Sequence, residues 1–455
     1  MTDATAGSTH PVVVIGAGPT GLAAAANLVE RGLDVVVLEQ GTRAADAVRR
    51  WGHVRLFSPW SELVDPAARR LLEPTGWTAP DPDGYPAGAD WARAYLQPLA
   101  DLLGERVRYG AKVTGVARRG RDRVVDSGRE GEPFTVHVDA SDGGPSRVTA
   151  SAVIDASGTF SHPNPIGGDG YPADGEPAAS DRIAYRVPDA ADPADVTRYA
   201  GRTTAVVGAG HSALTALVAL ATLAEKVPGT EAVWVLRRGG VGDAFGGGDA
   251  DGLPARGALG QRARRAVEAG HVRVVTGFRT AAVERDGATL ILHSEAGDVI
   301  DGLDEVVALT GFRPDHSVTA ELRLALDERL EAPVRLALLI DPNVHSCGTV
   351  YPHGAAELAH EGEPGVYLVG MKSYGRAPTF LAMTGYEQVR SVVAALAGDQ
   401  EAAARVELTL PETGVCGGAG LFDAADPDDA AAGCCSPTGG PQLVQLGTGG
   451  RASSC

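Results

Sequence analysis

Apolar residues along this chain come in short unbroken runs rather than in long alternations. The first run, 12–15, is four β-branched residues in a row. Three glycines follow, then an alanine-rich stretch to Arg31, a stop at Gly32 and a second apolar run at 35–38. Short apolar runs bounded by glycine read as strands buried on both faces, and the long alanine-rich stretch reads as a helix. The prediction is strand–turn–helix–strand. The same order recurs at 203–236, with an apolar strand, a glycine turn, a helix and a strand predicted over 232–238. Further strands are predicted at 107–116, 134–138, 151–160, 272–276, 289–293, 304–315 and 365–375. Helices are predicted at 91–103, with Leu96, Leu99, Leu102 and Leu103 along one side, and at 384–396. The polar stretch 118–133 reads as a surface hairpin tip, and 171–199 as a crossover between domains.

The two glycine turns carry chemistry. Gly16, Gly18 and Gly21 stand in G-x-G-x-x-G spacing. The first glycine permits the tight turn, the second lets backbone approach a pyrophosphate, and the third lets the helix pack closely on the strand. The helix N-terminus, with Pro19 and Thr20 in its first turn, favours the anion. Glu39 ends the second strand, where an acid accepts from a ribose hydroxyl. A dinucleotide site is therefore expected; the plainer alternative is a glycine-rich turn in an ordinary βαβ unit. In the second unit Gly208, Gly210 and Ala213 repeat the spacing around His211 and Ser212, and the next strand runs into Arg237 and Arg238. Arginines there suit a 2′-phosphate and so NADPH, unless they only decorate a solvated strand end. Arg256, read as part of a glycine-rich loop, is a further phosphate candidate. Gly158, Gly311 and Gly370 each follow an apolar strand, where a glycine lets backbone come close to a cofactor. The expected fold class is α/β, with two Rossmann-like units and the second inserted in the first. The boundaries drawn are 1–165 and 301–405 for the FAD domain, 166–300 for the NADPH domain, and 406–455 for a flexible, cysteine-containing C-terminal tail.

Composition narrows the partners. The 455 residues carry a net charge of −18, which argues against nucleic acid or an anionic membrane surface. The polar start and the lack of a long apolar span point to a cytoplasmic protein. The segment WGHVRLFSPW, 51–60, is dense in aromatics in a chain with only 5% of them, so it either lines a flavin or substrate face or is a buried packing loop. His53 within it and His345 are candidate acid–base groups. The five cysteines are Cys347, Cys416, Cys434, Cys435 and Cys455, with no C-x-x-C among them. Cys347, flanked by His345 and His353, is either a reactive thiol near the flavin or a small buried hydrophobe. The adjacent Cys434 and Cys435 are either a grip for a thiophilic metal or metalloid, or idle residues of the tail.

Taken together, these motifs resemble the two-dinucleotide-binding-domain flavoproteins, which include flavin-containing monooxygenases and thioredoxin-reductase-like enzymes. Residues 307–314, VALTGFRP, look like the A-T-G-x-x-P hinge of that superfamily. WGHVRLFSPW, GAGHSA, HSCGTVYPHG and GMKSYGRAPTFLAMTGYEQVRS look like the flavin monooxygenase-like proteins encoded beside arsenic-resistance genes. The superfamily's late strand usually ends in Gly-Asp, the acid binding the ribityl chain. Here Gly370 is followed by Met371 and Lys372. The resemblance implies FAD on Gly16–Glu39 and NADPH on Gly208–Ala213. It implies hydride transfer to the flavin and then reaction with O₂ as a monooxygenase or oxidase of a soft substrate such as a trivalent arsenical. One alternative is an NADPH-dependent flavin reductase of a thiol-bound metal, metalloid or disulfide working through Cys434 and Cys435. Another is a metalloid-binding or redox-sensing flavoprotein. A homodimer is the assembly held in view.

Overall fold

Two runs of β-branched residues seed the two halves of the molecule. The computed structural model describes residues 10–141, 143–342, 353–377 and 380–408. The first half contains β1 (Val12–Ile15), α1 (Pro19–Glu30), β2 (Val35–Leu38), β3 (Val107–Arg108), β4 (Ala111–Arg118), β5 (Phe134–Ala140), β6 (Gly144–Ala150) and β7 (Ala152–Asp155). The chain then builds β8 (Ile183–Ala184), β9 (Thr203–Val207), α2 (His211–Ala224), β10 (Glu231–Val235), α3 (Pro254–Glu268), β11 (Val272–Val275), β12 (Thr280–Asp286), β13 (Thr289–Ser294), β14 (Val299–Leu303) and β15 (Glu305–Ala308). It returns to the first half with β16 (Val366–Leu368) and α4 (Ala382–Leu396).

Both halves follow one plan. The first has a parallel sheet in the order β16-β7-β1-β2-β3 and an antiparallel sheet β4-β5-β6. The second has a parallel sheet β11-β10-β9-β15-β8 and an antiparallel sheet β12-β13-β14. Parallel strands need crossover connections that cover the sheet's faces, which is why their sequences are continuous apolar runs. Val13 and Val14 of β1 are fully buried, as are Ala205 and Val206 of β9. Helix α1 buries Ala23, Ala24, Ala25 and Ala26 completely, because it packs against both α4 and the helix Pro66–Leu72. Only small side chains let it sit so close on both sides. The result is the expected pair of Rossmann-like domains, the second inserted in the first.

Several expectations change. The strand Glu305–Ala308 pairs with β9 and β8, so the return to the first domain comes after residue 308 and not at 301. An apolar strand signals a sheet but not which sheet. The 91–103 helix is interrupted by a π-helical turn, Ala92–Leu96, and Leu102 is 39% exposed, off the buried side. The polar stretch 118–133 is no mere surface tip. Arg118 and Arg129 are both buried and both bind the buried Glu363, at 2.6 and 2.7 Å. The second unit's strand stops at Val235 rather than running to Arg238, and Leu236 beyond it is buried. Arg256 sits in α3, not in a loop, and its guanidinium is held by Asp251 at 2.7 Å. That ion pair takes up the charge that a phosphate would have needed. The tail drawn from 406 lies beyond the described residues from 409 on. Among the described residues no helix is long and apolar enough to cross a membrane.

Candidate functional site

The first glycine turn is dictated by crowding on one side and openness on the other. Gly16 has φ +96°, and a Cβ there would stand 2.9 Å from the carbonyl oxygen of Ala156. A Cβ on Gly21 would stand 2.0 Å from the carbonyl oxygen of Gly16. Gly18 has nothing within 4 Å of its missing Cβ. The middle glycine thus fronts open space at the start of α1, where Pro19 fills the first helical position without leaving an unpaired N–H. Glu39, buried, accepts from the backbone N–H of Ala17 and of Gly41, both at 2.7 Å. It therefore sits against the turn and retains lone pairs for a further donor.

The second turn repeats this. Gly208 has φ +136°, and its Cβ would lie 2.2 Å from the carbonyl oxygen of Leu309; Gly210 again has nothing within 4 Å. Ala213 replaces the third glycine and is fully buried. The strand on the other side ends the same way in both halves. Ile15 is in register with Asp155, and Val207 with Ala308; three residues on stand Gly158 and Gly311, with φ of +69° and +91°. By the same register Leu236 holds the place of Glu39, and exposed Arg237 is one residue further out, on the rim.

A cleft of about 230 Å³ joins the two halves. Its walls are Trp51, Leu56 and Phe57 of the aromatic loop, His211, Ser212 and Thr215 of α2, and Phe380 and Leu381 before α4. Phe57 packs edge-on against His211, ring centroids 5.3 Å apart. The 51–60 loop thus lies against the start of the second domain's first helix. Burial pulls the His211 ring down to about 4, so it is neutral at pH 7. Among the described residues lining the cleft, Arg55 is the only charged one.

Lys372 turns inward. Its Nζ donates to Asp155 at 2.6 Å and to Ser157 at 3.1 Å, and both charged side chains are essentially inaccessible. Its ammonium thus ties β7 to the turn after β16 rather than facing outward. Gly370 and Gly385 each lie so close to Thr20 that a Cβ would meet its Oγ1 at 2.8 Å. The first turn and the start of α4 therefore converge. His53 is exposed and is not among the described cleft residues. Cys347, His345, Cys434 and Cys435 lie outside the described residues, as do the other cysteines. Sequence reasoning passed over Asp155, whose signal was an acid closing an apolar run, and Phe380, which had none.

A family profile described as pyridine nucleotide-disulphide oxidoreductase matches residues 13–335. The chain belongs to that family. It is accordingly a flavin-dependent oxidoreductase, with FAD and NADPH as its cofactors. The open sides of Gly18 and Gly210 fit the two nucleotides: each leaves room for a ligand at the start of a long helix. Among solved structures, the bacillithiol disulfide reductase Bdr (YpdA) from Bacillus cereus is 19% identical, with a TM-score of 0.63 over 86% of this chain and 99% of its own. A flavin-containing monooxygenase from Stenotrophomonas maltophilia is 24% identical, with a TM-score of 0.51 over 85% and 98%. DfoA, a cadaverine monooxygenase from Erwinia amylovora solved with FAD bound, is 16% identical, with a TM-score of 0.59 over 88% and 96%. No curated protein sequence matches the chain. The structural likenesses share the two-domain fold found here.

Proposed function

We propose that the first glycine turn, Gly16–Gly21 with Glu39, holds FAD. The second, Gly208–Ala213 with Arg237 at its rim, holds NADPH, and the reaction runs in the cleft between them. When bound, NADPH and FAD supply hydride transfer to a flavin that then passes two electrons to a second substrate. The chain's own residues position and shield. Phe57 and Phe380 exclude water, Glu39 orients a ribose, and Arg237 recognises the 2′-phosphate through a charge-assisted contact. The observation that carries this reading is the cleft itself, in which a loop of the first domain meets the start of α2. The finer reading is a monooxygenase or oxidase using O₂ on an uncharged soft substrate such as a trivalent arsenical, in the cytoplasm, with a homodimer as its assembly. Among the described cleft residues there is no carboxylate, which favours a neutral substrate over an amine cation. The test is O₂ uptake by the reduced protein with and without methylarsenite; uptake unchanged by methylarsenite removes that substrate.

A second reading is a reductase working through Cys434 and Cys435. Its support is the likeness to the bacillithiol disulfide reductase. Replacing both cysteines with serine decides between the two, since only the reductase loses turnover.

A further inference from the structure

Around the turn after β16 nearly every buried polar group is matched. The Gly370 N–H donates to Gln388 Oε1 at 2.8 Å, Gln388 Nε2 donates to Ser373 at 3.0 Å, and Ser373 donates to the Gly370 carbonyl at 2.7 Å. Tyr386 donates to the Leu63 carbonyl at 2.9 Å. Against this order, the Tyr374 hydroxyl, the Thr384 hydroxyl and both ring nitrogens of His353 have no hydrogen-bond partner among the described residues. Tyr374 and His353 are each 1% exposed, and Thr384 is wholly buried. Each such group costs on the order of 1–3 kcal/mol when left unmatched. Tyr374 and His353 are neighbours. Tyr374 lies 6.1 Å from the His353 ring and packs edge-on against Phe380 at 5.0 Å. Phe380 in turn lines the cleft.

We propose that Tyr374, with His353 behind it, is the hydrogen-bonding end of the acceptor site. The acceptor is a small uncharged molecule whose oxygen takes a hydrogen bond. This rests on the reading above, in which reduced flavin passes electrons to a second substrate from the cleft. Phe380 lines the cleft and packs on the Tyr374 ring, so on this proposal that ring turns aside to let the acceptor reach the hydroxyl. Burial holds the Tyr374 hydroxyl protonated and pulls His353 down to about 4, so both are neutral at pH 7. Neither supplies a countercharge for an ion; among the described residues, Glu357 is the charged group that acts on His353. With reduced FAD bound, the cofactor would supply a hydride and the Tyr374 hydroxyl would supply the proton, the phenolate being reprotonated by solvent when the site opens to release the product. The acceptor gains two electrons and the flavin loses two.

The test uses the full-length flavoprotein, reduced by NADPH under nitrogen and then mixed rapidly with 1,4-benzoquinone or with ferricyanide. Benzoquinone is neutral and needs protons; ferricyanide is a trianion that takes single electrons and no proton. For Tyr374→Phe the expected result is unchanged FAD content, reduction by NADPH within twofold, benzoquinone reoxidation at least tenfold slower, and ferricyanide reoxidation unchanged. The apoprotein of the same variant should melt no lower than wild type, since an unmatched buried hydroxyl has been removed. A variant that loses FAD, slows equally with both oxidants, behaves as wild type or melts several degrees lower overturns the inference. So does a wild type that benzoquinone fails to reoxidise. A wild type that binds no FAD sinks the proposed function, and this inference with it; a normally reduced wild type with an indifferent Tyr374→Phe sinks this inference alone.

Discussion

The two halves of this molecule are the same device built twice, and they differ where charge is buried. Both place a positive-φ glycine against the backbone of the strand that returns beside it, a second glycine against open space, and a third small residue under the helix. In the first half Asp155 ends the returning strand and is ion-paired to Lys372 in the interior. In the second half the matching residue is Ala308, packed in the core. On the proposed function, the glycine geometry alone makes a place for a dinucleotide. The additional buried pair ties β7 to β16, the strand added only after the second domain has been inserted. It secures the point at which the chain returns.

The largest effect is expected at that pair. Lys372→Met leaves Asp155 buried without its partner, and should cost about 3–5 kcal/mol in denaturant unfolding. A loss below 1 kcal/mol would show that water reaches the pair. Next come the third small residues. Gly21→Ala places a Cβ 2.0 Å from a backbone oxygen and should strip FAD from the purified protein. The opposite exchange, Ala213→Gly, should cost only about 1 kcal/mol and leave NADPH binding intact. Equal effects of the two would dissolve the comparison.

The rims come third. Arg237→Ala should raise the KM for NADPH about tenfold, a loss of about 1.4 kcal/mol, while leaving NADH unchanged. Glu39→Gln should weaken FAD retention without altering the choice of nicotinamide. Steady-state kinetics with both nucleotides, and flavin absorbance after dialysis, check the pair.

The last effect is in pH. Burial lowers His211 in the second half, and His353 and His360 in the first, to about 4 from an ordinary 6.5. Each ring binds its proton more readily unfolded than folded. Stability should therefore be full above pH 6.5 and fall as the pH drops towards 4. His211→Asn should flatten part of that slope, measured as denaturation midpoints across the window.

Much of this was legible in the sequence, and what was not has a common cause. Local patterns reveal local geometry, so β1, α1 and β2, and the glycines around them, stand where the apolar runs and spacing put them. Partners distant in the chain leave little trace. Lys372 could be seen to replace an expected acid, but not to reach Asp155, 217 positions away. Arg118 and Arg129 look like the polar residues of a hairpin tip until Glu363 is folded against them. Arg256 reads as a phosphate ligand until Asp251 meets it. The aromatic loop 51–60 was notable for composition alone; that it faces His211 across a cleft depends on how the two domains meet.

The account stands on two nucleotides whose reactive ends meet in that cleft. It is tested most directly by titrating the purified full-length protein with NADPH under nitrogen while recording its visible spectrum. The account predicts a yellow protein with about one FAD per chain whose flavin absorbance is bleached by one equivalent of NADPH, with NADH less effective. A colourless protein that takes up no FAD, or a flavin that stays oxidised in excess NADPH, would contradict it.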